Sequence, residues 1–322
     1  MFETIKMLVI VSRAEFLLPN LGSLIMGLAW GATPSIGLTD LVLLVILSFT
    51  IINLSSAIGA QINTLSDYEL DSKDDRKKKL VHAMDSFGQN RLKTVLIFEF
   101  LITSVLVSLF MQIQGKPILL FMWIVGISLG WIYSAPPLRL KSRSWLAPIT
   151  LILVLGIFPV LFAYYTFTSE MKPLFLLSLT GLALTIYGVI IPTEIRDYFG
   201  DKATGIETMT VHMGLVKASL LSIVLLTSGG ILTTTAFLLE FAYGSHPFLS
   251  VFILAILVAV LIVLRKFGKL YSLSKEYVAL ESQSPVGEDI VSLSARNPQW
   301  IMLVTQSYSF MSIILLISRF LL

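Results

Sequence analysis

The stretch "NTLSDYELD", residues 63–71, places three oxygen-bearing side chains, Asn63, Asp67 and Asp71, at intervals of four residues. On an α-helix, which advances about 100° per residue, these three side chains fall within about 80° of one another. The stretch therefore predicts a helix with one oxygen-rich face.

A second stretch, "EIRDYFGD", residues 194–201, repeats the pattern Asp-Tyr-x-x-Asp 130 positions later (197 − 67 = 130). Its acidic residues, Glu194, Asp197 and Asp201, fall within about 60° of one another on a helix. We call residues 63–71 motif one and residues 194–201 motif two.

The sequence around the two motifs is strongly apolar. The chain of 322 residues is 56% hydrophobic and only 13% charged, against about 25% charged residues in soluble domains. Most of its apolar runs reach the roughly 17–25 residues that cross a bilayer as a helix. The runs are 16–33, 40–62, 92–113, 117–134, 145–167, 173–193, 213–239, 246–264 and 299–321. We predict an all-α, polytopic membrane protein with nine transmembrane helices, or eight if 117–134 is not a full crossing.

The basic residues predict the orientation of the chain in the membrane. Of the 23 Lys and Arg residues, all but Lys116, Lys172 and Arg319 (23 − 3 = 20) belong to one side of the predicted bundle. The positive-inside rule places that side in the cytoplasm, together with the N-terminus, and places the C-terminus outside. The cytoplasmic loops are predicted at 63–91, 135–144, 194–212 and 265–298. We expect the membrane to be the plasma membrane. Because topology accounts for the basic residues, we expect no nucleic-acid partner.

The chain is predicted to be a single membrane domain, residues 1–322, built as two four-helix pseudo-repeats plus a final helix. Each motif lies at the cytoplasmic end of the second helix of its half, which makes the repeat parallel. The polar segment 265–298 is interpreted as a mobile connector, with a short surface helix in "KLYSLSKEYVALE" (269–281) as the alternative.

The acidic motifs predict a divalent metal site. Carboxylates at a membrane boundary experience desolvation and mutual repulsion. Clustered oxygen ligands suit Mg²⁺, which binds through a few carboxylates and the oxygens of a substrate phosphate. A solvated helix end is the alternative interpretation of either motif taken alone.

Basic residues near the motifs predict an anion site. "DDRKKK" (74–79) follows motif one, and "YSAPPLRLKSR" (133–143) lies in another predicted cytoplasmic loop. In an extended segment, Arg139 and Lys141 would point to the same side. Arg supplies planar donors and Lys a point charge for a phosphate. An ordinary positive-inside loop is the alternative for both stretches.

These three elements together resemble the UbiA superfamily of intramembrane prenyltransferases. Motif one fits the family pattern Asn-x-x-x-Asp-x-x-x-Asp, and motif two fits Asp-x-x-Asp-x-x-x-Asp with Glu194 in the first position. "YSAPPLRLK" is similar to the element Tyr-Ser-x-x-Pro-x-Arg-x-Lys of the family. One departure concerns the family stretch Asn-Lys-Pro-x-Arg-Pro after motif one, where this chain has "SKDDRKKKLVHA". That departure leaves the acceptor open.

The resemblance implies a helical bundle around a central cavity in which a polyprenyl diphosphate is ionised and its prenyl group passes to a hydrophobic acceptor. It implies Mg²⁺ as the cofactor, and the lipid bilayer surrounds the whole site. The implied metal ligands are Asn63, Asp67, Asp71, Glu194, Asp197 and Asp201, whose four aspartates are also the implied catalytic residues. The implied diphosphate-binding residues are Tyr133, Arg139 and Lys141, and the basic run after motif one adds Lys77 and Lys78 as predicted diphosphate-binding residues. Acceptor or cavity residues are predicted at Asn53, Arg13 and Asn20, with an interhelical hydrogen bond as the alternative for Asn53 and an interfacial position as the alternative for Arg13.

Two other functions remain open at the level of sequence. A terpene cyclase of the same superfamily would ionise the same donor but quench the cation within the prenyl chain. A transporter with a parallel repeat would place its acidic residues near the bilayer midplane, whereas these acids cluster at one predicted membrane face.

Overall fold

The apolar runs of the sequence form helices in a computed structural model of the chain, which describes residues 2–73, 77–244, 246–280 and 284–321. The structure is 88% helical. Across the described ranges there is no β-sheet, and one isolated bridge joins Ser144 to Thr208. The predicted all-α class is confirmed.

The predicted membrane spans correspond to observed helices. Eight helices in the described residues are long and apolar enough to cross a membrane, and the number rises to nine if the bent pair Glu3–Val11 and Ala14–Gly31 is one span. The helix Pro117–Ser134 is one of the eight. The choice between eight and nine spans therefore depends on the first pair of helices, which bends by 63°. It does not depend on 117–134, as the sequence suggested.

Contacts divide the chain into two compact units. Unit 1 comprises Met1–Leu140 and Phe158–Ser169, and unit 2 comprises Lys141–Ile157 and Glu170–Leu322. Because residues 158–169 belong to unit 1, the units do not divide where the two predicted four-helix halves would meet. The pseudo-repeat therefore stays a prediction.

Unit 1 carries motif one at the end of its longest helix. Its helices are α1 (Phe2–Val11), α2 (Leu17–Gly31), α3 (Leu38–Asp71), α4 (Lys78–Phe87), α5 (Gln89–Gln114), α6 (Pro117–Ser134) and, after the break to unit 2, α8 (Phe158–Phe167). Helices α2 and α8 approach closely at Gly27, where an added Cβ atom would lie 2.6 Å from the backbone nitrogen of Tyr164. Small residues at such contacts let membrane helices pack backbone to backbone.

Unit 2 carries motif two on α9. Its helices are α7 (Leu146–Leu151), which continues as a π-helix to Ile157, α9 (Pro173–Thr204), α10 (Met209–Met213), α11 (Leu215–Tyr243), α12 (Leu254–Ala279), α13 (Ser284–Ser294) and α14 (Asn297–Phe320). Helices α9 and α11 pack through glycines. An added Cβ at Gly229 of α11 would lie 2.6 Å from the carbonyl oxygen of Gly181 on α9.

The interpretation of 265–298 as a mobile connector is wrong. Helix α12 continues to Ala279, and α13 and the start of α14 fill the rest of the described segment. The buried residues Val263, Phe267, Leu270 and Ser274 recur at intervals of four, three and four, which is the spacing of one helix face. Leu270 and Ile290 belong to an apolar cluster with Tyr198 of motif two. The segment thus supports motif two.

We expect the Gly229→Val substitution to prevent stable packing of α9 against α11, because a Cβ at Gly229 would lie 2.6 Å from two backbone atoms of α9. Overpacking of this kind costs at least about 1–3 kcal/mol of unfolding free energy. The measurement is thermal unfolding in detergent. Gly126→Val is the matched control, since an added Cβ at Gly126 meets nothing within 4 Å. Equal unfolding temperatures for the two variants would contradict the packing.

Candidate active site

Motif one lies on the last turns of α3, as the sequence predicted, and Asn63 is held by the neighbouring helix. The Nδ2 atom of Asn63 donates a hydrogen bond of 3.0 Å to Oγ of Ser134, the last residue of α6. Ser134 is buried. Because this bond uses the amide nitrogen, it orients the Asn63 carbonyl oxygen, which is the atom that a metal would need.

Both acids of motif one lie beside predicted diphosphate-binding cations. Arg139 donates from Nη2 to Oδ1 of Asp67 at 2.9 Å. The ammonium nitrogen of Lys77 lies 3.8 Å from Oδ1 of Asp71. The side chains of Asp67 and Asp71 are only 15% and 16% exposed. Positive and negative groups thus alternate over the end of α3. This surface therefore carries oxygen atoms that can bind a metal and N–H groups that can donate hydrogen bonds to a phosphate.

The segment that carries Arg139 and Lys141 is not extended, so the argument that their side chains share one side of a strand is wrong. The backbone nitrogen of Arg139 donates to the carbonyl of Ala135 at 3.0 Å, with a φ of 40° at Arg139. A 3₁₀-helix, Leu140–Ser142, follows. This turn after the Pro136-Pro137 pair directs Arg139 to Asp67 in unit 1. Lys141 belongs to unit 2, and its ammonium nitrogen is shielded from solvent.

Of the other predicted diphosphate-binding residues, Tyr133 is half-buried in the last turn of α6, and Lys78 is the exposed first residue of α4. Asp74, Asp75 and Arg76 of the charged run lie outside the described residues.

Tyr68 of motif one has a role that sequence reasoning missed. Its hydroxyl donates a hydrogen bond to Oδ1 of Asp85 on α4. Helix α4 packs through Ala83, Met84 and Phe87 in a cluster with Val11 of α1. The spacing of these apolar residues in a predicted loop was the available signal. Helix α4, which begins next to Lys77, is therefore tied to the end of α3.

Motif two is ordered by the chain that follows it. Oε2 of Glu194 accepts hydrogen bonds from the backbone nitrogen of Thr210 at 3.3 Å and from its hydroxyl at 3.0 Å. Thr210 reaches Glu194 because α9 ends before Gly205, whose φ of 72° suits glycine. Thr208 then caps α10 by accepting a hydrogen bond from the nitrogen of Val211. Thr210 is a second residue that sequence reasoning missed.

The aspartates of motif two lie in a different electrostatic setting. Arg196 donates to both carboxylate oxygens of Asp197, from Nε at 3.0 Å and from Nη2 at 2.7 Å. This arrangement is the bidentate geometry typical of guanidinium and carboxylate. Asp201 is half-buried in the last turn of α9. Its backbone carbonyl accepts hydrogen bonds from the backbone nitrogens of Gly205 and Ile206. Arg196 was not among the predicted site residues.

The predicted acceptor residues Asn20 and Asn53 contact each other. Nδ2 of Asn20 donates to Oδ1 of Asn53 at 2.9 Å and to Oγ of Ser56 at 3.0 Å. These bonds join α2 to α3, as the alternative interpretation of Asn53 expects. Arg13 lies at the bend after α1, with a φ of 50°. An acceptor role for these residues stays a prediction.

The donor chemistry of both motifs fits Mg²⁺. In the described part of the chain no three Asp, Glu, His or Cys side chains converge on one metal position. Mg²⁺ does not require such a cage, because it binds through one or two carboxylates, water and phosphate oxygens. Each motif supplies oxygen ligands, and Asn63 and Glu194 are already oriented by Ser134 and Thr210. Supporting hydrogen bonds of this kind are usual around metal ligands.

The sequence profile of the UbiA prenyltransferase family matches residues 19–278, which include both motifs and the segment 133–143 with Arg139 and Lys141. The chain belongs to the UbiA prenyltransferase family. A curated relative, homogentisate phytyltransferase from Synechocystis sp., is 33% identical over 112 residues, which cover 32% of this chain and 36% of that protein. The match therefore spans about a third of the relative.

Solved structures share the UbiA fold along nearly the whole chain. A digeranylgeranylglyceryl phosphate synthase has a TM-score of 0.66 at 16% identity, covering 97% of this chain and 99% of the other. A UbiA homologue from Archaeoglobus fulgidus bound to GPP and Mg²⁺ has a TM-score of 0.59 at 18% identity, covering 93% and 99%. At these identities the likeness establishes the fold.

We expect Tyr68→Phe to loosen α4 from α3, because it removes the hydroxyl that binds Asp85. With this bond lost, amide exchange in residues 78–87 should be faster than in the wild type. Hydrogen-exchange mass spectrometry measures the change. The control is Tyr198→Phe in motif two, where the tyrosine ring packs at 5.3 Å against Phe199. Unchanged exchange in Tyr68→Phe would show that the hydroxyl does not hold α4.

Proposed function

We propose that this UbiA family member is a Mg²⁺-dependent intramembrane prenyltransferase that takes a polyprenyl diphosphate as donor. The observation that carries the proposal is the contact of 2.9 Å between Asp67 and Arg139 at the end of a membrane-length helix. The carboxylate of Asp67 can bind a metal ion, and the guanidinium of Arg139 can donate hydrogen bonds to a phosphate. Together they suit a diphosphate substrate that binds as a metal complex. The A. fulgidus homologue bound to GPP and Mg²⁺ supports the same donor class.

The basic residues of the chain bind the diphosphate in this proposal. Arg139 exchanges its bond to Asp67 for bonds to phosphate oxygens, which its planar donors match. Lys77 does the same from its position near Asp71, and Lys78, Lys141 and Tyr133 add further donors. Each of these donors stabilises negative charge on the diphosphate as it leaves.

The proposed metal ligands are the amide oxygen of Asn63 and the carboxylates of the two motifs: Asp67, Asp71, Glu194, Asp197 and Asp201. Mg²⁺, when bound, neutralises part of the charge of the leaving diphosphate. Thr210 and Ser134 keep Glu194 and Asn63 oriented, so little reorganisation is needed on binding.

The apolar helices protect the reactive carbon in the proposed reaction. The bond between the prenyl carbon and the diphosphate oxygen breaks, and the electron pair leaves with the diphosphate. The allylic cation then bonds to a nucleophilic carbon or oxygen of a lipophilic acceptor, which loses a proton. Exclusion of water prevents hydrolysis of the cation.

The acceptor is proposed as a lipophilic molecule of the quinone-precursor, lipid or carotenoid type. A phytyltransferase and a phosphate-lipid synthase among the similar proteins support this class. The terpene cyclase alternative is tested by incubating the protein with geranylgeranyl diphosphate and Mg²⁺ without acceptor. Release of a cyclic hydrocarbon or alcohol would favour the cyclase.

We expect Asp67→Asn and Asp197→Asn each to lower prenyl transfer at least about 100-fold, the usual loss when one stabilising contact to a transition state is removed. Both variants should still fold, because asparagine keeps the shape of the side chain. Diphosphate release in lipid vesicles measures the reaction. Asp40→Asn, at the opposite end of α3, is the control. Full activity in either motif variant would refute the proposed ligand set.

We also propose that the motif-bearing helix ends and the N-terminus lie in the cytoplasm of a cell whose plasma membrane holds the protein, with the C-terminus outside. The chain has no cysteine, so single cysteines can be introduced for labelling from one side. We expect Lys79→Cys to react with an impermeant maleimide only after the cells are opened, and Lys172→Cys to react in intact cells. The opposite pattern would reverse the topology.

A further inference from the structure

Helix α9 contains a proline two residues before the first acid of motif two. Pro192 has no backbone N–H, so it cannot donate the helical hydrogen bond that the carbonyl of Gly188, four residues earlier, would receive. Inside a membrane a backbone carbonyl without a hydrogen-bond donor is strongly unfavourable, because no water is there to supply one. The position therefore needs a donor from another part of unit 2.

The donor for the Gly188 carbonyl comes from α11. Oγ of Ser222 donates to this carbonyl at 2.6 Å, and Ser222 is fully buried. The approach is possible because residue 188 is glycine, where an added Cβ would lie 2.8 Å from the nitrogen of Leu226. A side chain at 188 would push away the helix that supplies the hydroxyl.

A second donor comes from the first residue of α14. Nδ2 of Asn297 donates to the carbonyl of Val189 at 2.6 Å and to Oγ1 of Thr193 at 2.7 Å. These two acceptors lie on either side of Pro192. Asn297 is 1% exposed, and its own carbonyl oxygen has no hydrogen-bond partner among the described residues. Asn297 thus contributes to the packing as a hydrogen-bond donor, through its Nδ2 atom.

We infer that Ser222 and Asn297 are positioning residues for motif two: by bonding the α9 backbone across Pro192, they fix the direction in which Glu194, Asp197 and Asp201 leave the membrane part of the helix. This inference rests on the proposed function, since it assigns these carboxylates to metal and diphosphate binding. The hydrogen bonds of the two residues go to Gly188, Val189 and Thr193, so both residues act through α9. They also explain why α14 begins beside motif two.

The test uses the full chain in detergent and a prenyl thiodiphosphate, a donor analogue that is cleaved slowly. The readout is the Mg²⁺ concentration that gives half of the maximal thermal stabilisation with this analogue, so no turnover is needed. We expect Ser222→Ala to need roughly ten times more Mg²⁺, in line with the loss of one buried hydrogen bond. Asn297→Leu, nearly equal in shape and without donors, should change the requirement in the same direction.

The matched control is Ser219→Ala. Ser219 is a fully buried serine one turn earlier on α11, and its hydroxyl contacts Leu215 of its own helix and Ser274 of α12. We expect its Mg²⁺ requirement to stay within twofold of the wild type. Equal shifts for Ser222→Ala and Ser219→Ala would overturn the inference, because both would then report general loss of packing.

A double-mutant cycle with Pro192→Ala tests the cause. Alanine restores the backbone N–H, which can bond to the Gly188 carbonyl and make the Ser222 hydroxyl redundant. Ser222→Ala should therefore change the Mg²⁺ requirement less than twofold in the Pro192→Ala background. An undiminished tenfold effect there would overturn the inference. If Ser222→Ala does not fold, Ser222→Cys, a weak donor of similar size, replaces it in the same cycle.

The outcome for the wild type separates this inference from the proposed function. If the wild type shows no Mg²⁺-dependent stabilisation by the analogue, the proposed function fails. If the wild type responds and Ser222→Ala has the same Mg²⁺ requirement, only the positioning role fails.

Discussion

Every polar backbone group in a membrane helix must find its hydrogen bond within the protein, and the chain meets this constraint at the point where it is hardest to satisfy. Pro192 removes a backbone donor two residues before motif two, and Ser222 and Asn297 provide donors from two other helices. The constraint explains the glycines between α9 and α11, since only a close approach lets short side chains reach the α9 backbone. The same hydrogen bonds therefore pack α9 against its neighbours in unit 2 and fix the direction of its acidic residues.

Charge at the membrane boundary follows a similar logic. Carboxylates with little exposure are costly unless they have partners, and Asp67, Asp71 and Asp197 each lie next to a basic side chain. Glu194 instead accepts two hydrogen bonds from Thr210. The longer side chain of Glu194, where the family pattern has Asp, is therefore accommodated by a dedicated donor. In the proposed function, Arg139 and Lys77 exchange these acids for phosphate oxygens, whereas Thr210 keeps Glu194 oriented.

The segment from Arg265 to Asn297 illustrates why a polar composition does not mean a connector. Its charged residues suggested a mobile loop, yet one face of it carries Phe267 and Leu270, and Ile290 packs into the same cluster as Tyr198. The periodicity of those residues was visible in the sequence. Exposed basic residues, Arg265, Lys266 and Lys269, lie between the buried ones and make the periodicity hard to see.

The sequence alone determined the helical class, the approximate spans and the two acidic faces, because apolar length and residue spacing are local properties of a chain. It also determined the family, through motif one, motif two and the "YSAPPLRLK" element between them. Only the tertiary structure decided which partner each polar group has: Arg139 for Asp67, Thr210 for Glu194, Asp85 for Tyr68, and Asn297 for the backbone beside Pro192. The physical reason is separation along the chain. Asn297 lies 108 residues from Val189, and the hydrogen bond between them exists only because α14 packs against α9.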